Sequence, residues 1–197
     1  FAAATLALLV VGSLLLARTN NQVRSAAAMP TACQAFLKTL DEKQAQQFRF
    51  AFGDKERLNW HFIPRPRKGL PVKDLEGAPL RAALGRLRSG LSGAGYDQTR
   101  NVMSLEEVLY LLEGGDRETR RDRRDPRKYY ISIFGKPAAT GSWGWRFEGP
   151  HISLNYTFVD GKLASTTPAF FAAHPGTCNA GPARQTPGQA PHRTDQP

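Results

Sequence analysis

Arg146, Glu148, His151 and Asn155 fall within the short run "WRFEGPHISLN" and could do chemistry together if one surface gathers them. A histidine can act as a base, a carboxylate can orient it, and an arginine can stabilise an anionic group, the combination that general acid–base work requires. Arg146, Glu148 and His151 are therefore the candidate catalytic set. The run "NWHFIPRPRKGL" adds Trp60, His61 and Arg67, which with Asn155 form the candidate ligand-binding set for a small-molecule or anionic ligand. His61, His151 and His174 would bind a divalent metal only if the fold makes them converge, since imidazole is a common metal donor. The sequence holds no Cys-x-x-Cys pair and no His-Glu-x-x-His, so neither compact metal signature applies. A histidine beside a carboxylate is more often a satisfied hydrogen-bonding pair than catalytic machinery, and one face of an antiparallel sheet is commonly solvated. Two function classes stand. The chain is a binding or structural module with a polar cleft around this hairpin, or it is a hydrolase or metal-dependent enzyme using His151 with Glu148 and Arg146.

Those side chains must be positioned by a hairpin. Asp160-Gly161 is a strong type I′ signal and pairs Val159 with Lys162 and Phe158 with Leu163. Gly149-Pro150 reads as a second two-residue turn, placing Glu148 opposite His151, Arg146 opposite Ser153 and Trp145 opposite Leu154. Alternation then puts Trp143, Trp145, Phe147, Ile152, Leu154, Tyr156 and Phe158 on one face. The other face holds Arg146, Glu148, His151, Ser153, Asn155 and Thr157. "YYISIF", Tyr129 to Phe134, is a credible fourth strand.

Helices dominate the first half. Thr31 can cap a helix reaching about Phe48, with Cys33, Phe36, Leu37 and Leu40 as its stripe. A strand from Arg57 must stop at Pro64, and a basic loop, Arg65 to Lys68, follows. Leu80, Leu84, Leu87 and Leu91 mark a second helix with Arg81, Arg86 and Arg88 off its stripe, ended by Gly93 and Gly95. A Ser104/Glu107 capping box opens a third, closed by Gly114 and Gly115. "DRETRRDRRDPRK" holds seven basic and four acidic residues and no apolar one, which reads as a solvated loop or a polyanion-binding one. The fold class is α+β, N-terminal helices packed on an antiparallel meander of three to four strands.

The 197 residues divide into an opening apolar run, 1–17, a linker, 18–30, one domain, 31–175, and a tail, 176–197, expected to be disordered from its Pro, Gly and Gln content. The apolar run carries no charge before Arg18, so it reads as a signal sequence or a membrane anchor. Either implies an exported protein, periplasmic, extracellular or held at the membrane through residues 1–17. The chain opens on Phe with no basic segment ahead of the run, as a chain cut short at its start would. In an oxidising compartment Cys33 and Cys178, the only cysteines, could close a disulfide. The formal charge of +10 favours anionic partners, but export and the lack of any recognisable motif argue against nucleic acid.

"NWHFIPRPRKGL", "DPRKYYISIFGKP", "WGWRFEGPHISLNYTF" and "PAFFAAHP" together resemble the bacterial family known as domain of unknown function 3500. The resemblance spans Cys33 to Pro175 and implies the N-terminal portion of that family's domain. It implies no chemistry. Members typically carry Gly-His-His where this chain has Gly149-Pro150-His151, so one family histidine is replaced by Pro150. They also read Phe-Phe-Gly-x-x-Pro where this chain has Phe170 to Pro175 with Ala172 third.

Overall fold

Asp41 divides in two what the apolar spacing predicts as one helix. In a computed structural model, which describes residues 28–174, α1 (28–37) ends ahead of Asp41 and α2 (Glu42–Phe48) starts from it. The Asp41 carboxylate accepts from the Gln44 N–H at 2.7 Å, and the Gln44 side chain accepts from the Asp41 N–H, a capping box. Thr31 lies inside α1 and caps nothing. The apolar run 1–17, most of the linker, Cys178 and the tail lie outside the described residues. Among the described residues no helix is long and apolar enough to cross a membrane.

The strand expected from Arg57 to Ile63 is replaced by a single turn and a strap. After β1 (Arg49–Phe50), the Asp54 side chain accepts from the Glu56 N–H and sets a 3-10 turn at Lys55–Leu58. Residues 59–69 then run irregularly, because Pro64 and Pro66 withhold the N–H groups that a ladder needs. β2 (Leu70–Pro71) leads to α3 (Gly77–Ser89) and α4 (Gly93–Leu112). Gly93 and Gly95 open α4 instead of closing α3, since the Ser92 hydroxyl accepts from the Gly95 N–H at 3.1 Å. Ser104 lies mid-helix, its hydroxyl turned back to the Asn101 carbonyl, so α4 runs through the expected capping box. Within the charged stretch residues 117–123 form a helix, α5 (Arg117–Arg123), none of it buried, and the rest to Lys128 is irregular. The arginines of α5, and Arg124 after it, find partners on α4 and at the C-terminal cap of α4. Arg121 pairs with Glu107, and Arg123 and Arg124 both pair with Glu113.

The sheet contains the expected meander and more. β3 (Tyr130–Phe134), β4 (Ser142–Gly149), β5 (Ile152–Val159) and β6 (Lys162–Ser165) are sequential antiparallel neighbours. β1 joins the far side of β3 in parallel, β2 also pairs with β3, and β7 (Ala169–Phe171) pairs with β5, giving a seven-stranded mixed sheet. The α+β class stands. Asp160 and Gly161 both have positive φ, 47° and 71°, and the pairs Val159/Lys162 and Phe158/Leu163 form as expected.

The β4–β5 turn falls one residue later than expected. Gly149 pairs with Ile152, Glu148 with Ser153, Arg146 with Asn155 and Trp145 with Tyr156, so Pro150 and His151 are the turn residues. Proline's fixed φ suits the first central position of a type II turn, and His151 takes the positive φ, 63°, that the second demands. Each partner moves by two residues, so the two faces keep their members apart from His151.

The tryptophan face is the core. Trp143, Trp145, Phe147, Ile152, Leu154 and Phe158 pack with Met29, Cys33 and Phe36 of α1, Leu87 of α3 and Val102 of α4. Arg86, expected off the stripe, is 2 % exposed, its guanidinium 4.2 Å from the Trp145 ring centroid and its Nε donating to the Cys33 sulfur at 2.8 Å. Burial pushes the Cys33 thiol above its usual value, Arg86 opposing.

Candidate functional site

Alternation along β4 sends Arg146 and Glu148 to the face away from the helices, yet that face is not wet. The strap covers it, and Arg146 is 0 %, Glu148 2 % and Glu56 6 % exposed. Arg146 Nη2 donates to the Glu56 carboxylate at 2.6 Å, and Nη1 donates to the Glu56 carbonyl at 2.9 Å. Arg146 Nε lies 3.2 Å from Glu148 Oε1 but is misaligned for a hydrogen bond, and Arg67 Nε, 3.7 Å from the same oxygen, is too far for one. The other Glu148 oxygen accepts from the His61 N–H at 2.9 Å. Two guanidiniums thus meet two carboxylates, and the group is buried with no net charge. Burial pushes the Glu148 carboxyl above its ordinary value, while Arg146, the His61 N–H and Arg67 oppose the rise.

Arg67 staples the strap to the hairpin end. Its Nη2 donates to the carbonyls of Ile63 at 2.6 Å, His61 at 3.2 Å and Gly149 at 3.2 Å. His151 is fixed by its backbone, its N–H donating to the Phe62 carbonyl at 2.8 Å and its carbonyl accepting from the Ala172 N–H at 2.8 Å. Its half-buried ring lies 6.0 Å from that of His174, and burial, then His174 and Arg124, lower its pKa. The His61 ring turns instead to the Asn59 side-chain oxygen, 3.2 Å away. Among the described residues no three His, Cys, Asp or Glu side chains are grouped to hold a metal ion. Asn155 donates to the Ser153 hydroxyl and the Pro168 carbonyl, and with Trp60 it lines a small cavity of ≈ 130 Å³.

The candidate residues therefore separate. Arg146, Glu148, Arg67 and the His61 backbone meet, His151 and His174 pair by themselves, and Trp60 shares a cavity with Asn155. Sequence reasoning missed Glu56, whose only local signal is the Asp54 cap that turns it inward. It also missed the pocket at the hairpin tip. A volume of ≈ 510 Å³ opens there, lined by Arg65, Arg67, Lys73, Arg123 and Lys128, with Tyr130 and Pro150 among its walls. A smaller one of ≈ 270 Å³, on the other side of Arg65 and Arg67, is lined by Glu56, Asn59, His61 and Glu148.

The sequence model of the family described as "Protein of unknown function (DUF3500)" matches residues 22–192. The chain belongs to this family. No curated protein and no solved structure matches it.

Two glycines of this DUF3500 chain's hairpin are there for close approach. A Cβ on Gly144 would stand 2.6 Å from the Tyr156 carbonyl oxygen, and one on Gly149 would enter the Tyr129 ring. The Tyr129 hydroxyl donates to the Pro150 carbonyl at 2.7 Å, and burial raises its pKa. The tip therefore rests on a buried phenol. Glu106 of α4 is 1 % exposed, with one oxygen bonded to Arg124 at 3.1 Å and the other without a hydrogen-bond partner. Burial raises its carboxyl, Arg124 opposing.

Proposed function

We propose that this is an exported binding module for a small multivalent anion, held in the pocket between the 64–67 loop, α5 and the hairpin tip. One observation carries the reading: the lining brings five cationic side chains together and includes no carboxylate. The carboxylates that serve those cations do not match them in number. Asp122 alone serves both Lys73 and Lys128, whereas Glu113 and Glu148 balance Arg123 and Arg67, since Arg124 also meets Glu106 and Arg146 also meets Glu56. Arg65 is in no ion pair with a described residue. The pocket thus has positive charge to spare, and a ligand with two or more carboxylate or phosphate groups would balance it. Tyr130 and the prolines give it walls that do not need to be ordered on binding. Export rests on the uncharged apolar run that opens the chain.

Calorimetric titration of citrate and inorganic phosphate at fixed ionic strength tests this, with chloride as the control. Binding should weaken at least tenfold, about 1.4 kcal/mol, in Arg65→Glu and in Lys128→Gln, and should fade as salt is raised. Equal heats for chloride and citrate, or affinities untouched by both substitutions, would remove the reading.

A further inference from the structure

At the opposite end of β3 from Tyr130, a second pocket of ≈ 470 Å³ lies between α1 and the β1–β3 edge, within the size range of sites that enclose one small molecule. Its walls are held by hydrogen bonds. The Gln34 side-chain amide of α1 donates to the Pro137 carbonyl at 3.1 Å, and the Gly135 N–H donates to the Phe50 carbonyl at 2.9 Å. Gly135 has φ 80°, and a Cβ there would lie 2.9 Å from the Ser142 carbonyl oxygen, so the chain leaving β3 has little freedom to shift.

The lining divides by chemistry. Leu37, Ile133 and Pro137 give an apolar floor, Ile133 and Pro137 being buried. Lys38, Arg49 and Lys136, all exposed and from three different segments, form the rim. None of the three is in an ion pair with a described residue, and the lining includes no carboxylate. This is unlike Arg121 and Arg123 of α5 and Arg124 just after it, which all meet glutamates.

We propose that this pocket binds a free amphipathic anion, a single carboxylate headgroup carrying an unbranched apolar chain. The headgroup meets Lys38, Arg49 and Lys136, with the Arg49 fork able to take both carboxylate oxygens. The chain lies on Leu37, Ile133 and Pro137, where it leaves water. An apolar floor would be wasted on a fully hydrated polyanion, and an open cleft of ≈ 470 Å³ has room for one molecule, not a bilayer. The site is separate from the basic pocket at the hairpin tip and does not depend on it.

Octanoate is the probe, titrated calorimetrically against acetate, which lacks the chain, and 1-octanol, which lacks the charge. Octanoate should bind at least tenfold more tightly than either. Arg49→Glu combined with Lys136→Glu should weaken octanoate at least tenfold and improve binding of octylammonium. Leu37→Asp should bring octanoate down to the level of acetate. If the double variant fails to fold by circular dichroism, Lys38→Gln is read in its place and should weaken octanoate measurably. Arg65→Glu, at the other pocket, should leave octanoate unaffected. The proposal is overturned if octanoate binds no better than octanol or acetate, if the rim substitutions leave a folded protein's affinity unchanged, or if Arg65→Glu abolishes binding.

Discussion

Replacing Arg146 by methionine is expected to destabilise the fold by about 3–5 kcal/mol, measured by urea unfolding at neutral pH, because it leaves the Glu56 carboxylate buried without a counter-charge and Glu148 with Arg67 alone. The side chain is fully buried and, among the described residues, is the only one that bonds Glu56 while lying against Glu148. Methionine fills much of the same space, so the loss is electrostatic and not a cavity. Neutralising the carboxylates at the same time, as in Arg146→Met with Glu56→Gln and Glu148→Gln, should recover most of the loss, since a neutral group has no buried charge to balance. A single variant within 1 kcal/mol of the parent would show that the strap is open to water in solution.

The same group gives the pH dependence a definite sign. Burial raises the folded Glu148 carboxyl above its unfolded value, so over the interval between the two values the folded state holds the extra proton. Stability from this group is therefore present below the unfolded value, about 4.3, and falls as pH rises through the folded one. Glu106 acts in the same direction. Arg146 opposes the rise at Glu148, so in Arg146→Met the fall should continue to higher pH. Adding Glu148→Gln should remove that extension.

The hairpin shows what a sequence reveals and what it hides. Period-two alternation placed both tryptophans in the core correctly even though the turn was placed one residue early, because a two-residue partner shift leaves the faces unchanged. The turn itself is ambiguous in sequence because Gly149 invites a positive φ, whereas the structure uses that glycine to admit the Tyr129 ring. Local caps were ambiguous in the same way. Gly93 and Gly95 read as a helix end and Ser104 as a helix start, whereas with Val102 and Met103 packed into the core the whole stretch runs on as α4. The strap was least legible. Its apolar and basic residues suggested a strand, but Glu56 meets Arg146 across 90 positions of sequence, and no local pattern encodes that contact. The candidate site followed the same rule: Arg146 and Glu148 were visible as a pair on one face, while the cover that makes them a buried network was not.

Trp145→Ala should cost about 3–5 kcal/mol, the range for removing a fully buried large aromatic side chain. The ring is 1 % exposed and stacks on Tyr156 at 4.3 Å between centroids, nearly parallel at 8°. Gly90 lies against it so closely that a Cβ there would stand 2.7 Å from its edge. The Arg86 guanidinium covers the ring at 4.2 Å and already has one nitrogen with no hydrogen-bond partner. Losing the indole therefore removes a cation–π partner from a charge that is nearly out of water. Trp143 stacks on Phe158 at 4.4 Å, and no guanidinium of the described residues lies over its ring, so Trp143→Ala should cost less than Trp145→Ala. The Trp145 indole N–H has no hydrogen-bond partner among the described residues, so Trp145→Phe should be far milder, with an aromatic face retained for Arg86 and that buried donor removed. Urea unfolding followed by far-UV circular dichroism measures all three without relying on tryptophan emission. A double-mutant cycle with Arg86→Met separates the two causes: the coupling should be favourable and vanish if Arg86 merely fills space. A Trp145→Ala variant as stable as the parent would mean that the tryptophan face does not pack on the helices at all.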